Sequence, residues 1–125
     1  DRLAAGVRSI TGNGGAFAAL KDSGEVVTWG DVESGGDCSA VADRLAAGVR
    51  SITGNGGAFA ALKEAGEVVT WGDADDGGDC SAVADRLAAG VNSITGGGGA
   101  FAALKDIGEV VTWGAADWGG DCSAV

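Results

Sequence analysis

The sequence predicts an all-β protein of three near-identical 42-residue antiparallel β-meanders joined by short, helix-like connectors. Three observations carry this prediction. The 125-residue chain repeats itself, with copies starting at Asp1, Asp43 and Asp85, so residues 1–42, 43–84 and 85–125 form one repeat domain. Each copy holds β-branched or apolar runs of five or six residues set between Gly-rich turns. Those runs are apolar on both faces, the pattern of sheets covered on both sides by similar sheets.

Within the first copy, Val7–Thr11 (VRSIT) reads as a strand from its β-branched residues. Gly12-Asn13-Gly14-Gly15 carries the Asn-Gly hairpin signal. Ala16–Lys21 has helical propensity, yet six residues between two turns are too few for a stable helix, so it reads as a second strand. Asp22-Ser23-Gly24 is a tight turn with Gly24 placed for positive φ, Glu25–Trp29 is a third strand, and Gly30–Asp37 is a loop. In Ser39–Ala47, Ser39 stands as an N-cap, Val41 and Leu45 fall on one helical face, and Gly48 follows as a stop. That segment reads as a helical turn joining successive units. Copies one and two differ at five positions, all near residue 23 or within 31–34, where solvent is expected. Copy three departs further, notably at Asn92, Gly97, Ile107, Ala115 and Trp118.

Composition narrows function. There are 25 Gly but no Pro and no Gly-X-Y period, which excludes collagen; 46% hydrophobic residues and four Trp exclude a disordered linker. The absence of His removes histidine triads, histidine-ligated zinc and histidine pH switches. A net charge of −10 repels phosphate backbones and anionic lipid, so neither nucleic acid nor membrane is an expected partner. No apolar run approaches the ~20 residues of a membrane-spanning helix. The start at Asp1 without Met, and without a signal or transit pattern, points to a piece excised from something longer. The acidic, Cys-bearing repeat leans toward an extracellular setting.

Residues 6–31 resemble a blade of the regulator of chromosome condensation repeat family. The resemblance rests on Val7, Ile10, Gly12, Ala19, Leu20, Gly24, Val26, Trp29 and Gly30, which recur 42 and 84 residues later. The compact spacing is closest to the short-bladed, beta-lactamase-inhibiting propeller of that superfamily. The resemblance implies propeller-blade-like meanders, and by way of the inhibitor relative a protein-binding role. Gly15-Ala16 stands where the family usually has an aromatic or His pair, and the connector lacks the usual Pro. Propellers close with about 4–8 blades. Three units therefore close or extend only by self-association. A β-trefoil monomer is the alternative for three repeats of this size, and the Trp-Gly blade ending argues against it.

Candidate chemistry is sparse. Gly12–Gly15 lacks the Gly-Lys-Ser/Thr of a phosphate loop and the following helix of a dinucleotide site, so it reads as a turn. The acidic loops 31–37 and 73–79 make Asp73, Asp75, Asp76 and Asp79 weak Ca²⁺ candidates, against a plain solvated turn. Cys38, Cys80 and Cys122 occupy one equivalent position per repeat without Cys-x-x-Cys spacing. They read as small semi-buried thiols, with inter-chain cross-linking as the sharper alternative. Trp29, Trp71 and Trp113 read as blade packing. Trp118 breaks the repeat pattern and is a candidate contact residue, unless it folds back on its own repeat. The Asp-Arg pairs at 1–2, 43–44 and 85–86 read as polar staples between units. No single carboxylate pair stands out for acid–base work, so catalysis and cofactors are not expected.

The expected function is a structural repeat protein whose terminal faces associate, as a ring if the rotation closes and a filament if it does not. Two chains would give a six-bladed ring. The expected partner is the chain itself. A module that binds another protein, or a monomeric β-trefoil-like binding domain, is the alternative.

Overall fold

The computed structural model describes Leu3 and residues 5–123. Each repeat folds as its own three-stranded antiparallel sheet in sequential order: β1 (Val7–Gly12), β2 (Ala16–Lys21), β3 (Val26–Gly30); β4 (Val49–Gly54), β5 (Ala58–Lys63), β6 (Val68–Gly72); and β7 (Val91–Gly96), β8 (Ala100–Lys105), β9 (Val110–Gly114). The predicted second strand has the observed bounds. The third starts one residue late, because the Glu25 carbonyl accepts from the Lys21 amide and closes the turn. A register shift between Val7 and Ser9 recurs at the same place in each sheet.

The sheets stack in chain order as three unclosed blades. A trefoil would pool strands from all repeats, whereas here each sheet is complete by itself, and only the middle one buries both faces of its apolar strands. The core lies between blades. One cluster sets Ala16, Ala18, Leu20 and Val26 of the first blade against Phe59, Ala61, Val69 and Trp71 of the second. The other repeats this arrangement between the second and third blades. Alternation along β5 sends Phe59 and Ala61 one way, and Ala58, Ala60 and Leu62 the other, so the middle blade feeds both cores. The many Ala residues permit this close approach.

Two local expectations hold in outline and change in detail. The Gly12–Gly15 hairpin turn joins β1 to β2 as expected, but Asn13 is not left-handed, since no residue other than Gly has positive φ among the described residues. Instead Asn13 Oδ1 accepts from the Gly15 and Ala16 amides at 2.9 Å each, and the side chain makes the turn. The connector is helical as expected, in the form of two 3₁₀ turns over Ser39–Leu45 with a kink at Val41; the correction is at its start, where Cys38 rather than Ser39 is the N-cap. The capping oxygen belongs to Asp37, whose Oδ1 accepts from the Ser39 amide at 2.9 Å. Leu45 is nevertheless buried in the first inter-blade core as its spacing predicts, and Gly48 ends the segment at φ +78.

Candidate functional site

Stacking leaves one apolar face uncovered at each end. On the first blade, Leu3, Ile10 and Phe17 are 39%, 60% and 48% exposed. Their equivalents 42 residues later are Leu45 and Phe59, at 1% and 0%, and Ile52, half-buried against the core. On the last blade, Leu104 and Val110 are exposed, whereas the equivalent Leu62 and Val68 are 2% exposed. Five of the eight exposed large hydrophobics among the described residues therefore lie on the two ends.

The internal junctions show what each end lacks. Phe59 pairs with Trp71 across β5 and β6 at 5.3 Å between ring centroids. Trp71 Nε1 donates to the Gly35 carbonyl of the preceding blade at 3.1 Å, and Trp113 Nε1 donates to that of Gly77 at 3.0 Å. A Cβ placed on Gly35 would lie 2.6 Å from Phe59, and one on Gly77 would lie 2.7 Å from Phe101. At Gly119, the third member of the set, a Cβ would meet nothing within 4 Å. A cavity of about 210 Å³ opens there, lined by Thr95, Gly96, Ala100, Ala102, Trp118 and Gly119. The last blade thus carries an unfilled aromatic socket. The first blade carries the matching Phe17–Trp29 pair, 5.5 Å between centroids, with Trp29 only half-buried.

Polar bonds also cross the internal junctions. Gly14 N donates to the Gly56 carbonyl at 3.1 Å, and Gly56 N to that of Gly98 at 2.8 Å. Thr11 and Thr53 hydroxyls donate to the Ile52 and Ile94 carbonyls at 3.3 Å each. Asn13 Nδ2 donates to Ser34 O at 2.6 Å and to Ala58 O of the next blade at 3.4 Å, and Asn55 does the same with Asp76 and Ala100. Sequence reasoning missed this second role of the Asn, because a turn signal does not reveal which carbonyl faces the amide nitrogen.

The predicted site residues scatter rather than converge. Trp118 is 65% exposed and rests over the turn of its own repeat, where added Cβ atoms on Gly98 and Gly99 would lie 3.0 and 3.1 Å from its ring. Cys38 and Cys80 pack half-buried against the two cores, and Cys122, with no blade after it, is exposed. All three thiols are free. Trp71 and Trp113 are buried packing residues. Arg44 and Arg86 join their connectors to the following sheet through Glu67 at 2.6 Å and Glu109 at 2.9 Å, while Asp1 and Arg2 lie outside the described residues. Both pairs are largely exposed and contribute about 0–1 kcal/mol each.

Of the Ca²⁺ candidates, Asp73 and Asp79 aim an oxygen at their own turns, toward the Asp75 and Ser81 amides. Among the described residues no three His, Cys, Asp or Glu side chains gather to hold a metal ion. Burial, then the charges of Asp73 and Asp75, push the Asp76 carboxyl above its ordinary value. The amide and then the hydroxyl of Ser39 hold Asp37 below 3.8, and Ser81 and Ser123 do the same for Asp79 and Asp121. A lowered native pKa contributes stability that is present above 3.8 and lost as pH falls through the native value. The double substitution Asp37→Asn, Asp79→Asn keeps an acceptor oxygen but removes the titration. Its urea midpoint is expected to drop less between pH 7 and pH 3 than that of the native chain; an equal drop rules this contribution out.

No family model matches the chain, and no curated protein matches its sequence. Solved structures do match. Human WBSCR16 aligns over 91% of the chain at 19% identity and a TM-score of 0.63, and yeast RCC1 (Prp20), solved bound to Kap60, over 86% at 17% and 0.62. The ectodomain of the Physcomitrella patens receptor kinase CR4 aligns over 86% at 24% identity and a TM-score of 0.56. The chain covers 34%, 29% and 29% of those three chains, about a third of each. The chain shares the β-propeller blade fold of these structures, present here as three successive blades left unclosed.

Proposed function

We propose that the chain is a non-catalytic structural unit that associates head to tail with further copies of itself. One observation carries this reading: side chains buried at both internal junctions are exposed, at the same repeat positions, on the two ends. The face bearing Phe17 and the face bearing Gly119 are the two halves of a junction that already exists twice within the chain. The contact is heterologous, and two copies would total six blades, within the range of known propellers.

Light scattering tests the reading. The native chain is expected to exceed the mass of one copy at micromolar concentration. Leu104→Arg, which sets a charge on the open face without touching either internal core, is expected to hold it at one copy. Each copy carries a net charge of −10, so added salt is expected to tighten association as the Debye length shrinks from about 10 Å at 0.1 M to about 3 Å at 1 M. A native chain that stays a single copy at all concentrations and salts sinks the reading. It would favour the second one, in which an open blade face binds a different protein. Yeast RCC1 (Prp20), itself of this fold and solved bound to Kap60, is the observation on that side.

A further inference from the structure

A junction between copies would not replicate the junctions within one, because the third repeat differs at the corner that would face the next blade. In the second repeat, Asp76 sits at the corner between two blades. Its carboxylate would contact a Cβ added to its own Gly57 and would lie 3.0 Å from one added to Gly99 of the following blade. The repeat equivalents are Trp118 for Asp76 and Gly97 for Asn55. Asn55 buries its amide in the corner and donates to Ala100 of the following blade. Gly97 has no side chain to do so. The two changes are spatially coupled. The Trp118 ring lies against Gly98 and Gly99 at the cleared corner and forms part of the wall of the open socket beside Gly119. Trp118 nevertheless remains 65% exposed.

We infer that Trp118 is the specificity-determining contact between copies, closing over the Gly14–Gly15 turn of the first blade of a second chain. The inference rests on the head-to-tail reading above. A carboxylate at this corner already reaches the next blade's glycine turn, and an indole reaches further. Gly14 and Gly15 are exposed on the first blade and present no side chain to obstruct the ring. Exchange of a polar bridge for an apolar plate also suits a contact between two strongly acidic chains, since it removes a carboxylate from the meeting corner. Trp is among the residue types most enriched at contacts whose truncation costs about 2 kcal/mol or more.

The test compares Trp118→Ala with the native chain and with Val32→Ala, which removes an exposed side chain of the first blade's loop. Sedimentation velocity over a dilution series reads the concentration at which the assembly dissociates, and circular dichroism confirms the fold. Trp118→Ala is expected to raise that concentration about thirtyfold, the equivalent of a 2 kcal/mol hot spot. Val32→Ala is expected to leave it within twofold, and both variants are expected to melt like the native chain at dilutions where single copies prevail. If Leu104→Arg abolishes association while Trp118→Ala leaves it within twofold, the role of Trp118 is overturned and the head-to-tail reading stands. If the native chain never associates, both fall.

Discussion

Phe59→Ala is expected to destabilise the chain by about 3–5 kcal/mol, a large part of the ~5–15 kcal/mol that holds a small domain together. The ring is fully buried, stacks on Trp71 and fills the space above Gly35 of the neighbouring blade. Its loss removes apolar burial, an aromatic pair worth about 0.5–1.5 kcal/mol, and the support that orients Trp71 Nε1 toward the Gly35 carbonyl. Phe17→Ala deletes the same atoms at the same repeat position. There about half the side chain is already in water, and the expected cost to a single copy is only about 1–2 kcal/mol. Urea unfolding followed by circular dichroism, at a dilution where single copies prevail, measures both. Equal costs would mean that blade stacking does not define the core.

Gly77→Ala is the second large effect. Gly77 has φ +102, a region that costs a residue with a side chain about 1–3 kcal/mol. The new methyl would also lie 2.7 Å from Phe101 and 3.3 Å from Trp113. Both rings are buried and stacked on each other at 5.4 Å, so they have nowhere to retreat. Overpacking adds about 1–3 kcal/mol, for a total of about 2–6 kcal/mol. Gly119→Ala meets the same backbone penalty at φ +103 without the collision. The difference in urea unfolding free energy between the two variants isolates the packing part. A difference near zero would show that the blades give way to the methyl.

The sequence announces the strands because the repeat exposes its own punctuation. Three copies of one turn pattern locate the hairpins more firmly than propensity does, and they override the helical preference of Ala16–Lys21. Apolar residues on both faces also predict the stacking. Two things were not legible. One is the turn chemistry: Asn13 and Asp37 use side-chain oxygens to catch nearby amides, which depends on local backbone geometry rather than on residue order. The other is which residue of each strand becomes an end face. Leu20 and Leu104 are the same residue in the same motif, and only the presence of a following blade separates 2% exposure from 42%. Trp118 was legible as an anomaly, but its place beside the socket at Gly119 emerges only once the strands are stacked.

The middle blade, covered on both sides, gives the molecule a graded rather than uniform resistance to opening. Each blade borrows its core from its neighbours, so the chain behaves as a short row of coupled units. Fraying is expected to begin at the two outer blades, which each have one wet side, and to reach the centre last. Docking of another copy would convert an outer blade into an inner one. The cooperativity of unfolding is therefore expected to depend on how many blades are in line rather than on the contents of any one of them.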